Sequence, residues 1–453
     1  MTPIVTPEEM AAIDAAAPEP VSELIARAGA ATAAAAIDLL GGSYGRRVAV
    51  LVGPGNNGAD GRDAALRLAR RGVRISVHEL GDLPERVDDV DLVIDAVLGT
   101  GARPGFTAPD VAPYIPVLAV DMPSGLDGLT GEASEGVLAA DRTVTFAALK
   151  PGLVLEPGRS RAGEVTVADI GLDTDSARAW LVSDDDVSAV VPERSTSDHK
   201  WRHAVWVVAG SPGMTGAAAL TVRGAQRAGA GYVRHSAPGV DDDPSRPIEA
   251  VGVALPSTGW AEEVLGDLDR FAALVVGPGL GQDHGTLEEA ARLIGGATVP
   301  VIVDGDGLAA LGDDPAAVLA SRSAPTILTP HDGEYARLVG HPPSADRFEA
   351  VRVLARSSGA VVLLKGPTTL VAHPEGEVLV VTSGDARLAT AGTGDVLAGI
   401  IGSLVASGVE PFTAAAAGAH LHGRAGGLGS AHGMVAGDLP DRLPAVFDHL
   451  AQE

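Results

Sequence analysis

Apolar residues come along this chain in short runs, each stopped by Gly, Pro or a carboxylate, with Ala- and Leu-rich stretches between them. The first forty residues read as two helices. TPEEM opens with a capping pattern, Thr6 followed three places on by Glu9. A second, Ala-rich segment over about 21–40 stops at Gly41-Gly42. Strand and helix then alternate. RRVAVLVG reads as a strand and about 60–71 as a helix ending at Gly72. VRISVHEL, DLVIDAVLG, IPVLAVD (115–121), RTVTFAAL (142–149) and EVTVADIG (164–171) are further strands. Short apolar strands separated by helical segments predict a parallel, doubly wound sheet.

Around 172–200 the chain turns charged and irregular, which divides it into domains 1–176 and 177–453. A second alternation follows. AVWVVAG, AALVVGPG, VPVIVDGDG, PTILTPHDGE and AVVLLKGP each run from a strand into a polar turn, with Ala/Leu/Gly helices between and after them. The fold class expected is α/β in two domains, the first a Rossmann-like doubly wound sheet. In both halves the polar motifs fall at the C-terminal ends of strands, where open α/β sheets bind ligands, so each half should gather its motifs in one cleft.

Composition narrows the partners. A chain of 453 residues suits two domains, and with 46% hydrophobic but only 3% aromatic residues the cores must be mostly aliphatic. The net charge of −26 argues against nucleic acid or an anionic membrane as partner. Phosphates would have to be held by backbone amides, helix N-termini or a placed base. The absence of cysteine removes disulfides, thiolate catalysis and Cys-ligated zinc. No basic-then-apolar signal opens the sequence. The longest uncharged apolar stretch, VLAGIIGSLVASGV (396–409), is too short for a bilayer and reads as a buried helix. A soluble, cytoplasmic protein is the expectation. Lysine occurs only at 150, 200 and 365 in a chain that otherwise uses arginine. A compact, mobile charge is what lysine offers and arginine does not.

GPGNNGADG (53–61) follows the first strand. Gly53-x-Gly55-x-x-Gly58 is the spacing of a dinucleotide-binding turn, whose amides and helix dipole favour an anion. Glu79 ends the next strand, where an acid that binds ribose is expected. Alone, this spacing fits an oxidoreductase or a merely tight turn. Three more strand ends change the balance. VIDAVLGTGARPG (93–105) puts Asp95 inside an apolar strand, where a carboxylate needs a partner. AVDMPSGLDGLTG (119–131) puts Asp121 at a strand end, before Pro123-Ser124-Gly125. TFAALKPGL (145–153) contains Lys150. Oxygen donors from Asn57, Asp95 and Ser124 suit a hard monovalent ion, and Asp121 suits acid–base work.

In that order, over most of residues 8–171, these motifs resemble the NAD(P)H-hydrate epimerase family. The resemblance implies a K⁺ site at Asn57, Asp95 and Ser124, with Asp121 as a catalytic and substrate-binding residue. It implies further substrate contacts at Asn56, Asn57, Gly58, Ala59 and Asp60, and at Gly99, Thr100, Gly101, Ala102, Arg103, Pro104 and Gly105. Ala59 departs from the family, which has glycine there.

The second half carries ATAGTGDVLAGIIGSL (389–404). Glycines around Thr393 let the backbone close on a phosphoryl group, helix N-terminal amides stabilise its charge, and Asp395 is poised to take a proton from a hydroxyl. This pattern resembles ribokinase-like small-molecule kinases. LLKGPTTLV (363–371), GSPGMTGAA (210–218), GPGLG (277–281) and TPHDGE (329–334) complete the set. Together they resemble NAD(P)H-hydrate dehydratase across about 195–440 and imply a ribokinase-like α/β/α domain. The resemblance implies ADP contacts at Lys365, Gly366, Pro367, Thr368, Thr369 and Gly394. It implies hydrate contacts at Ala217, Gly279, His331 and Asp395, the last catalytic, with Mg²⁺ accompanying phosphoryl transfer. Asp332 replaces the family's proline, and Trp201 a smaller residue. His420 and His422, spaced i, i+2, cannot share one helical face and read as non-functional.

The expected function is metabolite repair: exchange of the R and S forms of NADHX or NADPHX, and dehydration of the S form with ADP as co-substrate, in a homo-oligomer. The rival reading is a vitamin-pathway kinase with a non-catalytic N-terminal binding domain.

Overall fold

The structure is a computed structural model and describes residues 1–100, 106–241 and 243–452. It divides into two compact units, Thr2–Ala179 and Trp180–Glu453. The division falls just past 176, between Ala179 and Trp180.

The first unit is built on a six-stranded parallel sheet in the spatial order Arg74–Glu79, Arg47–Val52, Leu92–Ala96, Val117–Val120, Arg142–Phe146, Glu164–Ala168. The strands central in that order are buried on both faces, which is why they read as unbroken apolar runs. Thr6 caps the helix Pro7–Ala16 in a full capping box with Glu9. The helix Val21–Leu40 ends on Gly41 in the left-handed conformation. It packs, with Asn56–Arg70, over one face of the sheet through Ala28, Ala33, Ala36, Ala64 and Leu68. Small residues bring the two helices close: a Cβ on Gly29 would lie 2.7 Å from the Asp63 Cβ.

The third helix begins at Asn56, four residues ahead of the expected 60. Gly55 is extended and caps it, so Asn56 and Asn57 sit in its first turn. The glycine spacing has a packing cause. A Cβ on Gly53 would lie 1.9 Å from the Val97 carbonyl, and one on Gly58 1.9 Å from the Gly53 carbonyl. The turn is therefore pressed backbone to backbone against the end of Leu92–Ala96, the strand that carries Asp95. The strand from Arg142 ends at Phe146, short of the expected 149, because Ala147 adopts φ 62°.

The second unit carries a mixed sheet. Its parallel part runs Val361–Leu364, Thr326–Leu328, Val301–Val303, Ala273–Val276, Ala204–Val208, Tyr232–Ser236, Val251–Gly252. Thr369–Ala372 and Val378–Val381 extend it antiparallel. The expected parallel sheet did not include this hairpin extension. The apolar run at 396–409 lies mostly in the helix Thr393–Ala406, which is buried almost throughout. It lies backbone to backbone on Thr215–Arg227: a Cβ on Gly399 would be 2.0 Å from the Thr221 carbonyl, and one on Gly224 2.4 Å from that of Val396. Among the described residues, no helix is long and apolar enough to cross a membrane.

At the N-terminal ends of the parallel strands, Trp201 stacks 4.2 Å from Tyr232 and Trp206 lies 4.9 Å from Phe271. Arg270 and Arg234 lie 4.4 and 4.5 Å from the Trp201 and Trp206 ring centroids. The bulky Trp201 thus belongs to an aromatic cluster at the end of the sheet away from the strand-end motifs.

Candidate functional sites

In the first unit a cleft of about 420 Å³ opens at the C-terminal ends of the strands. Asn56, Asn57, Asp60, Gly99, Thr100, Asp121 and Lys150 line its polar end, and Leu24, Ile25, Ala28 and Phe146 its apolar side.

Asp121 is held in the left-handed region, φ 65°, where a non-glycine residue is strained. Its amide donates to the Val144 carbonyl at 2.7 Å, which locks the chain reversal. Lys150 is buried to 1% exposure, and its ammonium donates to Asp121 Oδ1 at 2.6 Å, Thr145 Oγ1 at 2.8 Å and the Phe146 carbonyl at 3.2 Å. Thr145 Oγ1 in turn donates to Asp121 Oδ1 at 3.0 Å. Asp121 Oδ2 lies on the Gly99 side, 3.1 Å from where a Cβ on that glycine would be.

Asp60 is buried in the same cleft. Burial, reinforced by Asp121, Asp63 and Asp14, pushes its carboxyl up to about 8. Asp14 on the first helix also lines the cleft. Burial raises its carboxyl, Lys150 opposes the rise and Asp121 adds to it.

Asp95 is fully buried. It accepts from the Ser124 amide at 2.8 Å and from Ser124 Oγ at 2.5 Å. Ser124 Oγ takes the Leu98 amide at 2.8 Å. Burial pushes Asp95 up, and the Ser124 hydrogen bonds oppose it. Asp95 makes no ion pair among the described residues. Both side-chain polar atoms of Asn57 are buried and have no partner there either. A buried carboxylate without a counter-charge, together with an orphaned amide, suits a cation with oxygen ligands. Ala59, the departure, is half-buried in the second helix turn. Gly101, Ala102, Arg103, Pro104 and Gly105 lie outside the described residues.

In the second unit, Gly392, at φ 92°, caps the helix Thr393–Ala406 and leaves Asp395 in its first turn. A Cβ on Gly394 would lie 3.4 Å from Lys365 Nζ, so the lysine sits against the helix N-terminus. Lys365 donates to Asp304 Oδ1 at 2.8 Å and reaches Glu334 Oε2 at 3.5 Å. Thr329 Oγ1 donates to the same Asp304 oxygen at 2.7 Å. The carboxylates push Lys365 above the usual ammonium range against the opposing effect of its burial. Asp395 is pushed up to about 7 by burial and by Asp304, Glu334 and Asp306, with Lys365 opposing. A group poised near neutrality suits a general base.

His331 caps the helix Asp332–Val339: its Nδ1 accepts the Gly333 amide at 2.9 Å, and Glu334 Oε2 accepts the His331 amide at 2.8 Å. The departure at Asp332 has its own partner, Arg347, at 3.0 and 2.8 Å. Gly279, at φ 66°, meets Ala217: a Cβ there would be 2.9 Å from that of Ala217. The same helix meets the AGTGD turn through Leu220, whose Cδ1 lies 2.5 Å from a Cβ placed on Gly392. Gly366 and Pro367 form the exposed turn of the antiparallel hairpin, Thr368 is buried, and Thr369 opens the next strand.

His420 bonds Asp184 at 2.6 Å, a helix-to-helix tie. His422 is buried beside the Thr393 backbone, and burial, with Lys365 adding to it, pulls its imidazole down to about 4. The i, i+2 argument missed this placement because a helix buried all round has no idle face. Sequence reasoning gave no role to Asp14, Lys150, Asp304 or Glu334. VDGDG and TPHDGE were visible as strand ends, but which of their acids meets Lys365 depends on the sheet order. Asp14 sits in no motif.

Comparison with known proteins finds relatives for both halves of the chain. The family described as NAD(P)H-hydrate dehydratase matches residues 205–447, and the family described as YjeF-related protein N-terminus matches residues 21–90 and 78–152. The bifunctional NAD(P)H-hydrate repair enzyme Nnr of Moorella thermoacetica is 37% identical over 90% of this chain and 88% of its own. That of Mycobacterium leprae is 38% identical over 90% of this chain and 89% of its own. Among solved structures, an ADP/ATP-dependent NAD(P)H-hydrate dehydratase from Bacillus subtilis, co-crystallised with ATP and Mg²⁺, is 30% identical with a TM-score of 0.52. The match covers 59% of this chain and 97% of that one.

Proposed function

The chain belongs to the bifunctional NAD(P)H-hydrate repair enzymes, and from that premise we propose how its two sites divide the work. The protein is an enzyme of metabolite repair with an epimerase and a dehydratase activity. One observation supports a site for each. Two of the three lysines, Lys150 and Lys365, are each bound to an aspartate at a strand-end site, one in each unit.

The hydrate carries a hydroxyl on the carbon next to the ring nitrogen. In the first unit, Asp121 exchanges a proton with the substrate while that carbon loses and regains its configuration, and Asn56 to Asp60 with Gly99 and Thr100 hold the hydrate. Asn57, Asp95 and Ser124 would hold K⁺, which when bound supplies the counter-charge that Asp95 lacks. In the second unit, Asp395 accepts the proton of the S-hydrate hydroxyl. The N-terminal amides and Lys365 face the charge that develops on the transferred phosphoryl group. Mg²⁺, when bound with the nucleotide, would shield its phosphates. Phosphate then leaves from the carbon as the ring nitrogen donates its lone pair, and loss of a proton restores the dihydronicotinamide. ADP is the favoured donor, giving AMP and phosphate, with Lys365 to Thr369 and Gly394 on the nucleotide and Ala217, Gly279 and His331 on the hydrate. The enzyme works in the cytoplasm as a homo-oligomer.

The test is separability. Mixed hydrate epimers are incubated with ADP and Mg²⁺ and the absorbance of the reduced ring is followed. Asp395→Ala should lose dehydration by about a hundredfold or more and keep epimer exchange. Asp121→Ala should lose exchange and keep dehydration of the S form. If either substitution removes both activities from a folded protein, this division of labour is wrong.

A further inference from the structure

Lys150 is not one of the residues that the family resemblance assigns to the substrate or to the cation, yet it is the most buried charged side chain facing the first cleft. An ammonium has three hydrogens. All three are taken, by Asp121 Oδ1, Thr145 Oγ1 and the Phe146 carbonyl. Lys150 therefore has no donor left for a ligand, and its geometry is complete before any substrate arrives.

The same contacts make Asp121 lopsided. Its Oδ1 accepts both from Lys150 and from Thr145 Oγ1, whereas Oδ2 makes no hydrogen bond to any described residue and lies on the Gly99 side. The backbone of Asp121 is itself held in a strained reversal by the Val144 carbonyl. Among the described residues Asp121 thus has one oxygen clamped and the other unpartnered, which leaves the syn side of Oδ2 to take a proton. Around it the cleft is acidic. Asp14 and Asp60 line it too, Asp63 lies beside Asp60, and Lys150 is the only basic side chain among the described residues that line the cleft.

Resting on the epimerase reading of this cleft, we propose that Lys150 is the positioning residue of the exchange reaction: it fixes Asp121 through Oδ1, sets a cation against its carboxylate, and leaves Oδ2 as the oxygen that trades a proton with the hydrate. Lys150 forms no bond with the substrate. The proton that Oδ2 takes from the hydroxyl as the carbon–nitrogen bond of the ring opens, the ring nitrogen taking a proton from solvent, is returned when the ring closes on the opposite face and the nitrogen gives its proton back. No electrons are gained or lost.

A purely structural lysine would change stability and leave the pH response of the surviving activity alone. The experiment measures epimer exchange from pH 5 to 9 in wild type, Lys150→Met, Lys150→Arg and Thr145→Val, with S-hydrate dehydration by the same preparations as an internal control. For Lys150→Met the expected result is a fall in exchange kcat of about a hundredfold. The KM should stay within a factor of about three, and the acidic limb should move to higher pH because the carboxylate has lost its cation. Lys150→Arg should return the limb towards wild type. Thr145→Val, which keeps the charge and removes one clamp, should lower kcat by about tenfold with the limb in place, and it carries the test if Lys150→Met does not fold. Wild-type exchange with an unmoved limb and unchanged kcat in both Lys150→Met and Thr145→Val overturns the positioning role and leaves the epimerase reading standing. Wild type without exchange overturns both.

Discussion

Ionisation of Asp395 should set the acidic limb of the dehydration rate. Its carboxyl is raised to about 7 by burial first and then by Asp304, Glu334 and Asp306, with Lys365 holding it down. A base must be unprotonated, so the rate rises with pH and is half-maximal near 7. With a single titration, the ionised fraction is about 9% at pH 6 and about 91% at pH 8, a tenfold rise in kcat/KM. Lys365→Met removes the one influence that lowers the value, so the midpoint should move upward along with the loss of rate. The assay is the initial rise in absorbance of the reduced ring from pure S-hydrate with ADP and Mg²⁺ at subsaturating hydrate, so that the free enzyme is what titrates. Asp395→Asn should be slower by about a hundredfold or more and flat across this range. A wild-type rate constant from pH 6 to 8, or a midpoint that moves down in Lys365→Met, refutes Asp395 as the base.

Asp60 titrates near 8 in the folded protein against an ordinary value of 3.8, so the native state binds the extra proton and stability falls as pH rises between those values. Asp60→Asn should therefore raise the melting temperature of the first unit more at pH 8 than at pH 5, as read by calorimetry, and an equal shift at both would contradict the assignment. Asp95→Ala should weaken the dependence of epimer exchange on K⁺, and equal wild-type exchange with and without K⁺ would remove the cation site. Gly399→Val forces side-chain atoms into the Thr221 carbonyl, so the helix that carries Asp395 must shift. A loss of about 1–3 kcal/mol or more in stability, together with loss of dehydration but not of exchange, is expected from denaturant titration and the two assays.

Much of this architecture was legible because buried parallel strands write themselves as apolar runs and their C-terminal ends as Gly, Pro and acids. Asp121, Asp95, Ser124, Lys365 and Asp395 could be picked out on that ground. What could not be read were relations between strand ends. That Lys365 meets Asp304 follows from Val301–Val303 and Val361–Leu364 both flanking Thr326–Leu328, a fact of sheet order and not of spacing. Asp14 reaches the cleft because the capped helix Pro7–Ala16 borders it, and no pattern local to that helix says so. The helix start at Asn56 was missed because Asn and Gly are poor helix formers. There the close approach of Gly53 and Gly58 to neighbouring backbone outweighs propensity.

The aromatic cluster beneath the second sheet has a spectroscopic consequence. The tryptophans stand at positions 180, 201, 206 and 260, all in the second unit, whereas the first unit carries Tyr44 and Tyr114 as its tyrosines and no indole. Light near the red edge of protein absorption therefore excites only the ribokinase-like half of the intact chain. Unfolding of that half can be followed by emission while the other half stays dark, and an indole placed in the epimerase cleft would give a separate signal. The cations stacked on Trp201 and Trp206 make the emission sensitive to the packing of the strand starts, so each unit's melting could be timed in one molecule without cutting the chain.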